Sequence, residues 1–259
     1  RATLDYALGA GFIDAAPASL EEAIAEADLI VVGVPTLAVG AVFAAIRDHG
    51  RPDVLITDVA SVKGSVVQAA REAFGAVPPR LVPGHPIAGA EKSGVEAARA
   101  DLFVRHRVIL TPLAGTDPAA LATIEHMWRL TRAEVVRMDV AEHDRVLAMT
   151  SHLPHLLAFA LVDSLARQPA SDEIFRCAAG GFRDFTRIAS SDVVMWRDIA
   201  LANRDALLAA VDGFTQTLDT VRAAVAAGDA AGLEQVFARA RAARERYLRC
   251  LEQGTISPE

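Results

Sequence analysis

Cysteine is scarce in this chain: Cys177 and Cys250 are the only two among 259 residues, and they lie far apart with no CxxC spacing. Neither a disulfide framework nor a zinc site is suggested, and reduced cytoplasmic thiols are the expectation. Concentrated positive charge is lacking too. The 26 Lys and Arg stand against 33 Asp and Glu for a formal net charge of -7, with no basic block. Neither nucleic acid nor a membrane surface is therefore the expected partner; a small molecule is. At 52% hydrophobic and 23% charged positions, disorder and collagen-like repeats are excluded, and one large or two modest globular domains fit the length. No signal peptide is visible. The uncharged stretch 29–46 approaches membrane-spanning length. Gly33, Pro35 and Gly40 divide it, however, into a β-branched run, a turn and a helix, which is how a buried strand and its crossover helix read.

The glycine signature of dinucleotide-binding sheets is also missing. Such sheets carry GxGxxG between a strand and a helix, with an acidic ribose reader ending the next strand. The nearest stretch, Gly9-Ala-Gly11, follows a helix-like segment (Ala2–Leu8) and reads as a helix end. The chain opens at Arg1 without a methionine, which fits loss of a preceding segment.

What is present divides at residue 138. In 1–138, five strand candidates alternate with amphipathic helices: Leu29–Val32, Val54–Thr57, Arg80–Val82, Val108–Thr111 and Glu134–Arg137. That alternation predicts a Rossmann-like α/β domain on a mostly parallel sheet. In 139–259 no strand pattern survives, so an all-α domain is expected. Asp139 with Glu142 makes a capping-box-like start for a helix toward Leu165, and Ser191 with Asp192 opens another that extends to Gly228. A helix of some 35 residues would span roughly 50 Å. Its apolar face, including Val193, Val194, Trp196, Leu208, Phe214 and Leu218, suits either a second subunit or a kinked packing within one.

Ligands of parallel sheets sit at the strands' carboxyl edge, where two polar loops fall. One runs from Thr57 through Ser61 and Lys63 to Gly64, and the other from Pro83 to Gly94. His85, between Gly84 and Pro86, is expected to project from a rigid loop as a proton acceptor or, equally, to hydrogen-bond the turn. Ser61 is placed to orient that ring. The SVKG segment also reads, more weakly, as a phosphate-binding turn. In the helical half, Ser151, His152, Pro154 and His155 interrupt an apolar run, so a kink with freed backbone is expected beside two histidines. A substrate-lining or ion-paired role suits these histidines better than a metal, since no HExxH is present. Arg183 and Arg187 share a helical face, as carboxylate clamps or as partners of Asp184 in surface pairs.

Together, the stretches DVASVKG (58–64), GHPIAGAEKSG (84–94), TSHLPH (150–155), GGFRDFTRIA (180–189) and MWRDI (195–199) resemble the prephenate/arogenate dehydrogenase family, in order and over the whole chain. One mild departure is Ala179-Gly180-Gly181, where the family often has three glycines. The resemblance implies a dinucleotide-binding domain whose pyrophosphate loop, first helix and ribose-reading strand precede Arg1, and a helical domain through which two subunits intertwine. It implies NAD-dependent, or NADP-dependent, oxidative decarboxylation of prephenate in tyrosine biosynthesis. His85 would take the ring hydroxyl proton, with Ser61 its hydrogen-bond partner near the nicotinamide. Val34, Pro35 and Thr57 join Ser61 as expected cofactor contacts. Arg187 would bind a substrate carboxylate, and His155 would pair with Asp184 to shape the pocket. Ser151, His152, Glu91 and Trp196 would stand around it. An arogenate-specific enzyme and a regulatory module that binds an aromatic metabolite without turnover are the two alternatives.

Overall fold

The structure, a computed structural model, describes residues 1–89 and 94–252. Helix α1 (Ala2–Gly9) closes against Gly11 at φ +70, a left-handed conformation that glycine adopts without strain, so this glycine pair does end a helix. After α2 (Leu20–Ala25), whose Ser19 cap accepts from Glu22 N–H, come β1 (Leu29–Val32), α3 (Val39–His49), β2 (Leu55–Asp58), α4 (Lys63–Phe74) and β3 (Leu81–Val82). The three strands are parallel in the order β1-β2-β3, with Leu29 opposite Leu55 and Ile56 opposite Leu81. Stretch 29–46 is thus a strand and a crossover helix. All four residues of β2 are buried, as expected for a strand covered on both faces. Val32, Phe43, Ile56, Val66 and Leu81 form the core between β1, β2 and the helices α3 and α4.

Among the described residues, three of the four strand pairings are parallel, as a mostly parallel sheet requires, and one is antiparallel. A second sheet holds β4 (Gly84–Ile87), β5 (Arg107–Leu110) and β6 (Glu134–Arg137), with β4 antiparallel and β6 parallel to β5. Strand β4 corrects the expectation of a loop at 83–89. Gly84 and Pro86 signal a turn, yet β4 is an edge strand, where a proline's missing N–H costs no ladder bond. Val108, Leu110, Ile124 and Trp128 pack this sheet against α5 (Pro118–Leu130).

The helical half opens as its cap predicts: the Asp139 carboxylate accepts from Ala141 and Glu142 N–H at the start of α6 (Val140–Leu147). The chain then widens into a π turn over Ala148–His152 before α7 (Leu153–Ala166). That turn is where Pro154 removes a donor, and π bulges are a common way for a helix to absorb such a loss. Next follow α8 (Ser171–Arg176), α9 (Gly180–Thr186), α10 (Val193–Ala202), α11 (Arg204–Ala227) and α12 (Ala230–Glu252). The single helix expected from Ser191 to Gly228 is broken at Asn203, whose φ of -104 and ψ of 32 leave the helical range. Val193, Val194, Leu208 and Leu218 remain exposed on the two pieces, while Ile199 and Leu207 are buried. Such an exposed apolar stripe is what a helical partner covers.

Candidate active site

The site grows from the junction of the two halves. Asp58 ends β2 and Lys63 begins α4, so the loop between them is short enough for their side chains to meet. Both are fully buried and form an ion pair. Together they clamp the peptide of Gly84: the Asp58 carboxylate accepts from Gly84 N–H at 3.2 Å, and the Lys63 ammonium donates to Gly84 C=O. Burial pulls Lys63 below its ordinary pKa, and the Asp58 carboxylate opposes that pull. The residue before His85 is thereby fixed on both its polar sides.

Across the junction, α6 supplies a neighbouring pair. Asp144 accepts from Lys63 N–H at 2.8 Å and from Gly64 N–H at 2.7 Å, so an internal carboxylate caps α4. In the SVKG segment the backbone donors of Lys63 and Gly64 thus hold a side chain of the same protein rather than a phosphate. A Cβ at Gly64 would fall 2.7 Å from the Asp144 carboxylate, so a larger residue there would displace that cap. Burial works against ionisation of Asp144, but the hydrogen bonds from His143, Lys63 and Gly64 outweigh it and hold the carboxyl below its ordinary value. His143, fully buried, joins Asp144 through Nδ1 at 2.8 Å and reaches His85 Nδ1 through Nε2 at 2.9 Å.

His85 lies in β4 opposite Ile109 and is 9% exposed. Burial first, then the charge of Lys63 and the rings of His143 and His152, hold its pKa well below 6.5. It is a neutral imidazole at neutral pH. Among the described residues its hydrogen-bonded neighbour is His143, not the expected Ser61. Ser61 sits half-buried in the bend between β2 and α4, at the strands' carboxyl edge.

Further along the same helix run, His152 is buried and its Nδ1 lies 3.0 Å from Asn203 Nδ2, which also donates to the Asp144 carbonyl at 2.8 Å. The break at Asn203 thus frees an amide that ties α11 to α6. Burial lowers the pKa of His152 to about 4 although Asp144 opposes it. His155 stacks on Trp196 with ring centroids 3.5 Å apart, and its Nδ1 donates to the Ser151 carbonyl at 2.9 Å. Trp196 Nε1 is buried without a partner among the described residues. The expected His155–Asp184 pair does not form: α9 turns Asp184 outward, where it meets its neighbour Arg183 at 3.4 Å. Arg187 is exposed just past α9. Glu91 lies outside the described residues.

The expected cofactor contacts divide. Val34 and Pro35 follow β1 at its carboxyl end, and the neighbouring loop after β2 is close enough that a Cβ on Gly33 would sit 3.9 Å from Val59. Gly33 and Pro35 are exposed and Val34 and Ser61 half-buried, and all four are uncharged. Thr57 is instead fully buried in mid-strand, its Oγ1 beside Gly84 and without a hydrogen-bond partner among the described residues. Sequence reasoning misses His143, Asp144 and Asn203, and it places Asp58 and Lys63 only as members of the DVASVKG loop. The adjacent His-Asp in a capped apolar helix was the available signal.

An α/β half of the nucleotide-binding kind joined to a helical half, with a buried histidine at their junction, is an architecture used by dinucleotide-dependent enzymes, whose ligands sit at the carboxyl edge of the strands. Comparison with known proteins narrows the class. Residues 2–137 match the family model "Prephenate dehydrogenase, nucleotide-binding domain", and residues 139–239 match "Prephenate dehydrogenase, dimerization domain". The chain is 39% identical over 87% of its length to a cyclohexadienyl dehydrogenase of Zymomonas mobilis, spanning 77% of that protein. It is 37% identical over 92% of its length to a prephenate dehydrogenase of Bacillus subtilis, of which it spans 65%. A crystal structure of prephenate dehydrogenase from A. aeolicus, in complex with hydroxyphenyl propionate and NAD+, superposes with a TM-score of 0.87 at 34% identity, covering 94% of this chain and 85% of that one. The chain belongs to the prephenate dehydrogenase family, and it is an oxidoreductase of that family.

Proposed function

We propose that this protein catalyses the NAD-dependent oxidative decarboxylation of prephenate to 4-hydroxyphenylpyruvate, with His85 as the general base. The carrying observation is the buried, neutral His85 held between the two halves, ready to accept a proton at pH 7. When bound, the nicotinamide supplies the hydride acceptor, and Val34, Pro35 and Ser61 are the residues that would hold it. His85 takes the proton of the ring hydroxyl. As the O–H pair becomes the carbonyl bond, hydride leaves the same carbon; the ring carboxylate departs as carbon dioxide, and its bonding pair moves through the dienone to the carbonyl oxygen, which takes up a proton as the phenol. Aromatisation provides the driving force, so the protein's work is positioning and removal of one proton. Arg187 holds a substrate carboxylate, His155 and Trp196 form a flat wall, and Trp196 N–H with His152 offers donors to the anionic substrate. NADP is the alternative cofactor.

Two subunits pair through the helical half, a reading supported by the exposed apolar residues of α10 and α11 and by the dimerization-domain match. A cytoplasmic location follows from the biosynthetic role of such an enzyme. The test is appearance of reduced nicotinamide when the full-length polypeptide meets prephenate and NAD, with arogenate and NADP in parallel. His85→Asn is expected to lower kcat by roughly 10²–10⁴-fold while NAD affinity stays the same. Near-normal turnover in that variant removes His85 from the mechanism, and no turnover of either substrate by the native protein overturns the activity.

A further inference from the structure

We propose that His143 and Asp144 are positioning residues that fix His85 in the tautomer carrying hydrogen on Nδ1, leaving Nε2 as the basic atom. The inference rests on His85 being the base, and the hydrogen-bond chain carries it. Asp144 is surrounded by donors: Lys63 N–H and Gly64 N–H each take one carboxylate oxygen, and His143 Nδ1 lies 2.8 Å from the first. A carboxylate only accepts, so His143 must donate from Nδ1. A neutral imidazole has one N–H, and the Nε2 of His143 is then a lone pair facing His85 Nδ1 at 2.9 Å. A hydrogen has to lie on that line, and only His85 Nδ1 can provide it. Nε2 of His85 is consequently bare.

The arrangement matters because an unconstrained imidazole favours hydrogen on Nε2, which would turn the base into a donor. The opposite order, with a doubly protonated His143 donating to His85, would place a cation in a fully buried position. The chain also crosses the junction: Asp144 grips the first turn of α4 while His143, beside it on α6, grips β4, so the orientation of the base is set by the docking of the two halves.

Nitrogen-15 NMR of the histidine rings in the full-length protein at neutral pH reads the tautomer without substrate. His85 is expected with hydrogen on Nδ1; hydrogen on Nε2 overturns the proposal whatever the enzyme's activity. His143→Leu should release the constraint, lowering kcat by roughly 10- to 10⁴-fold with KM for prephenate nearly unchanged, as a wrong tautomer does in other histidine relays. His143→Gln, whose amide oxygen accepts from His85 Nδ1, should restore most of kcat and the Nδ1–H signal. Native-like kcat in His143→Leu, or no rescue by a folded His143→Gln, overturns the proposal. Failure of the native protein to reduce NAD with prephenate instead overturns the functional reading, and the NMR result still decides the tautomer.

Discussion

Lys63→Met removes the ammonium that clamps Gly84 and leaves Asp58 as a carboxylate in a fully buried position. Methionine nearly matches the lysine stem in volume, so packing is preserved and the change is electrostatic. Asp58 keeps two backbone donors, Ala60 N–H at 2.9 Å and Gly84 N–H at 3.2 Å, but no counter-charge. Breaking a buried pair by removing one partner costs about 3–5 kcal/mol. The Gly84 carbonyl also loses its lysine donor, which argues for the upper part of that range. Urea unfolding at one fixed protein concentration measures the loss as a lower midpoint with an unchanged slope. The double variant Asp58→Asn with Lys63→Met buries no charge and should recover part of the stability. A single-variant loss below about 1 kcal/mol, or a double variant in which the two losses simply add, would refute the reasoning. A second readout separates the clamp from mere stability. After burial, Lys63 is the largest contributor holding His85 low, so its removal should raise the His85 pKa and move the acid limb of kcat/KM upward.

Two other perturbations probe different parts of the site. Arg187→Ala should raise KM for prephenate by roughly 10- to 100-fold, the equivalent of one charge-assisted hydrogen bond of about 1.5–3 kcal/mol, with a smaller change in kcat; an unchanged KM would make Arg187 a surface residue. His152 should make the fold acid-sensitive. Its folded pKa of about 4 lies below the 6.5 of the unfolded chain, so its contribution is full above pH 6.5 and is lost as pH falls toward 4. The loss is about 3 kcal/mol by 1.36 kcal/mol per unit. His85 acts in the same direction. Unfolding free energies above and below this window, for the native protein and a His152→Phe variant, check it: equal pH slopes in the two would sink the argument.

Much of the architecture was legible because burial leaves a local mark. Leu29–Val32 and Glu134–Arg137 form strands at the expected residues, and the other three candidates overlap strands β2, β3 and β5 within one residue at each end. Asp139 caps its helix because a side-chain oxygen and its backbone donors are near in sequence. Local marks mislead where a tertiary partner decides. Gly84-His85-Pro86 reads as a turn, yet pairing with β5 makes it a strand. Nothing local marks Asn203, which sits in an apolar helical pattern and leaves the helix to bond Asp144 and His152, 59 and 51 residues away.

The same distinction explains the site. Motifs located His85, Ser61, His152, His155 and Trp196, and the structure brings His85, His152, His155 and Trp196 around one junction. Sequence proximity to a strand end points to Ser61 as the neighbour of His85, whereas the Nδ1 side of the ring meets His143, 58 residues away. Asp184 was read as the partner of His155 and instead meets the adjacent Arg183 at the surface. The first difference has a tertiary cause: Asp144 gains its backbone donors only when α6 docks on α4, 80 residues earlier in the chain, and it holds His143 beside His85. On the proposed reading the base exists only in the assembled protein: β4 supplies the histidine, and the helical half sets which of its nitrogens accepts a proton.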